Sequence, residues 1–332
     1  MGESASALSI TYLLISPLAR GLFDKAIVQS TNLRAKPELS RAAFGYPSGE
    51  EIGAQIGRDI EAPDLAALRA MDADALTIAA GRARFNPQGT IDGWVLPRQL
   101  PDALDAGAFA RVPLLTGFTS GEMRAGLVPL PPAPSDAAAY ELEIRRRYRD
   151  LAPDFLALYP SSTIRESMLA ALRDVVFGWS SERMARNFTR AEVPAYLYLF
   201  DHCDAAMRAR DFCAFHAGEL PYVFGLTRER SSLPANWPRP FSSSDTRLSE
   251  TMSDYWVSFA RTGRPWSPRG PVWRRYGAAQ AYMHFGDMAR ASEDMYPGMF
   301  ELHEGEFRRR RVEGIQWFVD VGIAAPLPPS GH

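Results

Sequence analysis

The sequence predicts an α/β protein built around a parallel sheet, and three observations carry that expectation. Residues 5–14 are small or apolar with no proline or glycine, residues 16–17 break the run, and residues 25–29 form a short segment of strand length. Helix, break and strand make one step of a parallel sheet. Apolar runs at 112–118 and 195–200 repeat the strand signal, with long helical stretches between them.

Taken in order, the helix over 5–14 ends at Ser16-Pro17, because the residue before a proline leaves the helical region. Helical segments follow at 49–58, 64–71 and 74–80, punctuated by Pro63-Asp64 and Asp72. The strand over 112–118 runs into a polar loop, 119–122. Pro129, Pro131, Pro132 and Pro134 make residues 128–134 a stiff, exposed connection. Helices are expected over 136–151 and 164–190. The run 195–200 is aromatic-rich, as strands often are. A long loop then carries His216. Ser244 or Asp245 is expected to cap a helix that passes through Trp256 and stops at Gly263. Residues 281–285 read as a short edge strand and 306–321 as a terminal helix. No internal repeat, low-complexity tract or linker divides the chain, so residues 1–332 read as one domain.

With 332 residues, 46% of them hydrophobic, the chain can bury a large core. A net charge of −2 points to neither nucleic acid nor an anionic membrane. No apolar run is long enough to span a membrane as a helix. No signal-peptide pattern is visible; the compartment reads as cytoplasmic if Met1 is the native start and allows export if residues precede it. Nothing in the sequence fixes an oligomeric state. Only Lys25 and Lys36 among the 37 basic residues are lysine, which reads as the codon bias of a GC-rich bacterial genome. Cys203 and Cys213 exclude a disulfide-rich scaffold. They read as two buried thiols, with one bridge as the alternative in an oxidising compartment.

Gly2-Glu3-Ser4-Ala5-Ser6 has the spacing of a nucleophile elbow, a strand-to-helix turn that lifts a serine Oγ above a sheet. Ser6 replaces the second glycine, and a serine is small enough to let the helix pack close. The strand that should precede the turn is not evident. Serine ester hydrolysis needs a histidine to take the hydroxyl proton, a carboxylate to orient it and backbone N–H groups to hold the oxyanion. Glu122 stands just beyond the strand over 112–118. His216 follows between Phe215 and Ala217-Gly218, giving the order serine, acid, histidine. A solvated glutamate and a structural histidine are the plain alternatives. His202 is the rival base, though Asp201 and Cys203 beside it suggest a polar strand end.

Other groups carry less. His202, Cys203, Cys213 and His216 fit no standard zinc spacing, and adjacent ligands make poor geometry. Glu219 after His216 does not make the helical zinc motif of metalloproteases. The basic run 308–311, with Glu304, Glu306 and Glu313 nearby, reads as a solvated face.

These motifs together resemble the type-B carboxylesterases, the cholinesterase-like and para-nitrobenzyl-esterase-like branch of the α/β-hydrolases. Gly2-Glu3-Ser4-Ala5 resembles the family's elbow, and Ser16-Pro17-Leu18-Ala19-Arg20-Gly21-Leu22-Phe23 the segment after it. Leu115-Thr116-Gly117-Phe118-Thr119-Ser120-Gly121-Glu122 is similar to the loop bearing the catalytic glutamate. His216-Ala217-Gly218-Glu219-Leu220-Pro221-Tyr222-Val223-Phe224-Gly225 is similar to the loop bearing the catalytic histidine. Tyr255-Trp256-Val257-Ser258-Phe259-Ala260-Arg261-Thr262-Gly263 resembles a late helix of the family. The resemblance implies an α/β-hydrolase fold lacking its N-terminal strands and oxyanion loop, with residues 1–332 a partial domain. Ser4, Glu122 and His216 would be the triad and the N–H of Ala5 one oxyanion donor. The substrate would be a small-molecule ester, with no metal or organic cofactor required. The strand near Ala26 would then be an exposed sheet edge. A fragment unable to catalyse, from a mis-called start or a degraded gene, and an esterase-like binding protein are the competing expectations.

Overall fold

A computed structural model describes residues 1–227, 233–234, 237, 241–317 and 319–328. Its frame is a six-stranded sheet in chain order: β1 (Gly2–Glu3), β2 (Ala26–Gln29), β3 (Leu114–Thr119), β4 (Ala195–Phe200), β5 (Ala281–Phe285) and β6 (Ala289–Glu293). The first five strands are parallel and β6 is antiparallel to β5.

Helices fill the crossovers. α1 (Ala5–Ile15) joins β1 to β2; α2 (Gly49–Asp59), α3 (Leu65–Ala70), α4 (Ala73–Arg82) and α5 (Leu100–Asp105) lie between β2 and β3. Between β3 and β4 come α6 (Ala137–Tyr148), α7 (Ala152–Leu158), α8 (Ile164–Arg173), a π-turn (Asp174–Gly178) and α9 (Trp179–Arg190). α10 (Ala205–Ala209), α11 (Leu220–Val223) and α12 (Ser243–Thr262) precede β5, and α13 (Met299–Val312) follows β6.

Strands β2, β3 and β4 are buried on both faces, as parallel sheets require. On β4, Ala195, Leu197 and Leu199 enter one core with side chains of α1, α5, α8, α9 and α13. Tyr196, Tyr198 and Phe200 enter a second, aromatic core with Tyr222 of α11 and Met252, Tyr255, Trp256 and Phe259 of α12. That two-residue alternation is the pleat itself.

Several expectations are corrected. The missing strand before the elbow is present as the two-residue β1, which pairs Gly2 with Val28 and Glu3 with Gln29. β2 is therefore not an exposed edge, and all four of its residues are buried. β5 is an inner strand; the edge on that side is β6, whose polar residues carry no apolar signal and lie mostly in solvent. The expected helix over 164–190 is interrupted by the π-turn, which keeps a helix-like apolar pattern while inserting a residue. Helix α12 is capped by Ser242, with Asp245 completing the capping box, because Ser242 is the hydroxyl placed three residues before a carboxylate at the turn. The terminal helix starts at Met299 and ends before Gly314, whose φ of 68° stops it. The basic run is not simply solvated. Arg310 is buried and its Nε donates to Glu306 Oε1 at 2.6 Å, while Arg308 is exposed. Cys203 and Cys213 are joined as a disulfide rather than standing as thiols.

Candidate active site

The elbow is built by close approach. β1 ends at Glu3, Ser4 takes φ 56° and ψ −118°, and α1 begins at Ala5. A Cβ on Gly2 would lie 2.7 Å from the Ser6 carbonyl carbon, so only glycine lets the helix return this tightly. The Ser4 N–H donates to Gln29 O at 3.0 Å and its carbonyl accepts from Leu8 N at 3.0 Å. Both bonds hold a backbone conformation that costs about 1–3 kcal/mol. Ala5 is exposed at the first position of α1, where a backbone N–H has no partner inside its helix.

Glu122 is fully buried beyond β3. Its Oε1 accepts from Ser30 Oγ at 2.7 Å and Thr119 N at 2.9 Å, and its Oε2 is hydrogen-bonded to His216 Nδ1. The loop that delivers His216 is fixed to the acid's loop through Gly121 N, which donates to Ala214 O at 3.0 Å. A Cβ at Gly121 would lie 1.9 Å from the Cys213 carbonyl oxygen. Gly121→Ala is therefore expected to cost about 3 kcal/mol, because backbone rather than a side chain must move. Denaturant unfolding checks this; a loss within 0.5 kcal/mol, the usual range for a harmless surface change, would contradict it.

The imidazole of His216 is covered by Phe177, stacked at 5.2 Å with 29° between the rings. Its Nε2 lies 3.1 Å from Glu3 Oε1 without hydrogen-bonding geometry. The structure thus brings Glu122 and His216 together and turns the far side of the ring toward the residue before Ser4. It forms no hydrogen bond from Ser4 Oγ to His216 among the described residues.

Sequence reasoning missed several members of this site. Ser30 follows β2 and has φ 53°. Glu219 is fully buried; its Oε1 accepts from Gln29 Nε2 at 2.8 Å and from Tyr198 OH at 3.3 Å. Gln29 in turn accepts from Trp256 Nε1 at 3.0 Å. Three carboxylates therefore surround one imidazole. Burial pushes Glu3 up to about 8, helped by the charges of Glu219 and Glu122 and opposed by His216. Burial, with the Glu122 charge, pushes Glu219 up to about 7. Burial alone would lower His216, but the hydrogen bond and charge of Glu122, then Glu3 and Glu219, raise it to about 9.

The rival base serves elsewhere. His202 Nε2 lies 2.5 Å from Asp245 Oδ1, which also accepts from Tyr222 OH at 2.9 Å at the start of α12. Burial opposes ionisation of Asp245, but hydrogen bonds from His202, Ser242 and Tyr222 hold it well below the usual carboxylate range. The disulfide leaves Cys203 and Cys213 without the thiolates a zinc ion would need. Among the described residues no group of three or more His, Cys, Asp or Glu side chains is placed to hold a metal ion, and no helix is long and apolar enough to cross a membrane.

A sequence model of the carboxylesterase family matches residues 1–300. Fumonisin B1 esterase of Sphingopyxis macrogoltabida is 31% identical over 307 residues, covering 89% of this chain and 54% of that protein. Para-nitrobenzyl esterase of Bacillus subtilis (strain 168) is 31% identical over 286 residues, 83% of this chain and 55% of its own. Human carboxylesterase 5A is 27% identical over 302 residues, 85% and 52% of the two chains. A solved structure of PNB esterase superposes with a TM-score of 0.65 at 25% identity, covering 93% of this chain and 62% of that one. The chain spans about half the length of the curated relatives it matches. The sheet order, the helices on both its faces and these likenesses fit the α/β-hydrolase fold, and the chain belongs to the carboxylesterase family.

Proposed function

We propose that the chain carries the triad of a carboxylic ester hydrolase: Ser4 as nucleophile, His216 as base and Glu122 as the acid that orients it. The observation that supports this most is the Glu122–His216 bond, with Nε2 turned to the elbow. His216 takes the Ser4 proton as Oγ attacks the ester carbonyl. The N–H of Ala5 stabilises the oxyanion from the start of α1. The imidazolium, stabilised by Glu122, then protonates the leaving alcohol. Water repeats the cycle on the acyl-serine and releases the acid. The substrate is a small-molecule ester, and residues 1–332 form part of a single domain. Incubation with a fluorophosphonate, followed by peptide mass mapping, tests the assignment. Covalent label on Ser4 supports it, and a folded protein that takes no label there sinks it.

A second reading is that of a non-catalytic, esterase-like binding protein. It is favoured by Nε2 facing Glu3 rather than making a hydrogen bond with Ser4 Oγ. Absence of label from folded protein is its expected result.

If the triad works, the pH profile follows from the raised pKa of His216. Only the neutral imidazole accepts a proton, so kcat/KM climbs as pH rises toward about 9. A p-nitrophenyl ester assay, corrected with a Ser4→Ala blank, checks this; a plateau already reached at pH 7 would contradict it.

A further inference from the structure

Glu122 and His216 sit on different loops, and one side chain outside both ties their supports together. Arg173, the last residue of α8, is nearly buried. Its Nε and Nη2 grip the Asp174 carboxylate at 2.7 and 2.9 Å. Its Nη1 donates to Ser120 O at 3.2 Å, two residues before Glu122. The guanidinium lies 4.3 Å from the centre of the Tyr296 ring.

Both ends of this grip are anchored. Ser120 Oγ donates to Asp201 Oδ1 at 2.5 Å, and Ser120 N to Phe200 O at 2.8 Å. Asp174 also accepts from Tyr159 OH at 2.9 Å, and that hydroxyl lies 2.8 Å from His303 Nε2. Asp174 opens the π-turn whose fourth residue, Phe177, covers His216. At Gly178 a Cβ would come within 3.2 Å of Asp174 Oδ1 and 3.3 Å of Phe118 Cζ, so the turn sits tightly on the end of β3.

A buried ion pair is a costly way to add stability, because desolvation offsets most of the attraction. Arg173 and Asp174 also cancel in charge, so their pair contributes little net field at the imidazole. What the pair supplies is fixed geometry. Resting on the proposed triad, we infer that Arg173 is a positioning residue: through Ser120 it sets the acid's loop, and through Asp174 it sets the Phe177 face against which His216 stacks.

The test follows the His216 ring by NMR in the full chain, comparing the parent with Arg173→Met and Arg173→Lys. In Arg173→Met the downfield Nδ1 proton of the Glu122–His216 bond is expected to broaden. The titration midpoint of His216 is expected to fall by about one pH unit. Arg173→Lys restores part of the shift, because it reaches one partner but not both. Where the parent takes the fluorophosphonate label, Arg173→Met slows labelling about 100-fold. A folded Arg173→Met with the parent's midpoint overturns the inference. Should that variant not fold, Arg173→Lys is judged alone, and an unchanged midpoint there overturns it equally. The titration needs no turnover. An unlabelled parent whose midpoint still depends on Arg173 would sink the esterase reading alone, and a labelled parent insensitive to Arg173 would sink the positioning role alone.

Discussion

Replacing Ser4 by alanine is expected to remove at least about 10⁴-fold of the ester-hydrolysing rate and all covalent fluorophosphonate label. Ser4 carries its hydroxyl at the N-cap of α1, directly after β1. Without Oγ, hydrolysis must proceed by direct attack of water, with no acyl-enzyme to split the barrier. The strained φ of 56° is held by the Gln29 and Leu8 backbone bonds, and alanine keeps both. Ser4 Oγ makes no hydrogen bond among the described residues, so its loss should leave the melting temperature nearly unchanged. A folded Ser4→Ala protein that keeps more than a tenth of the parent's kcat/KM would refute the nucleophile assignment.

Glu122→Gln is the second large effect, about 10⁴-fold in kcat, as for an orienting acid made neutral beside its histidine. Glutamine has nearly the same shape and can still accept at the oxygen facing Ser30 and Thr119. Its amide then presents an N–H₂ donor to His216 Nδ1, where a carboxylate had accepted. That selects the wrong tautomer and removes the charge that stabilises the imidazolium. The sign of the titration shift follows. Glu122 is the chief influence raising His216 to about 9, so its neutralisation lets burial pull the ring back toward or below 6.5. Parallel kcat measurement and NMR titration check both parts. A rate within tenfold of the parent would mean another group orients the ring, with Glu3 the nearest candidate at 3.1 Å.

The sequence exposed the parts of this molecule that rest on local chemistry. Residues 112–118 and 195–200 are legible as strands because burial on both faces demands continuous apolar runs. Ser4, Glu122 and His216 could be proposed as a triad from the sequence because the elbow and the strand-end loops carry local motifs. Glu3, Ser30 and Glu219 are not, because strand register gives them their place. Pairing Glu3 with Gln29, and Gln29 with Gly117, brings Glu3 and Glu219 toward one imidazole, and no periodicity announces that. Gly117 shows the same limit: a Cβ there would lie 2.3 Å from the Tyr198 carbonyl oxygen, a constraint set by the neighbouring strand. Charges inside α13 misled for a related reason. Glu304, Glu306 and Arg310 are buried in mutual ion pairs and with Arg183, so a polar pattern there does not mark a wet face.

The reversed last strand has a colloidal consequence. β6 runs against β5 and leaves Arg290, Ala291 and Glu293 in solvent at the outer rim. A foreign strand docking there would have to desolvate both charges before gaining its ladder of hydrogen bonds. That flank therefore discourages sheet-to-sheet stacking between molecules, and it does so with residues that contribute nothing to the core.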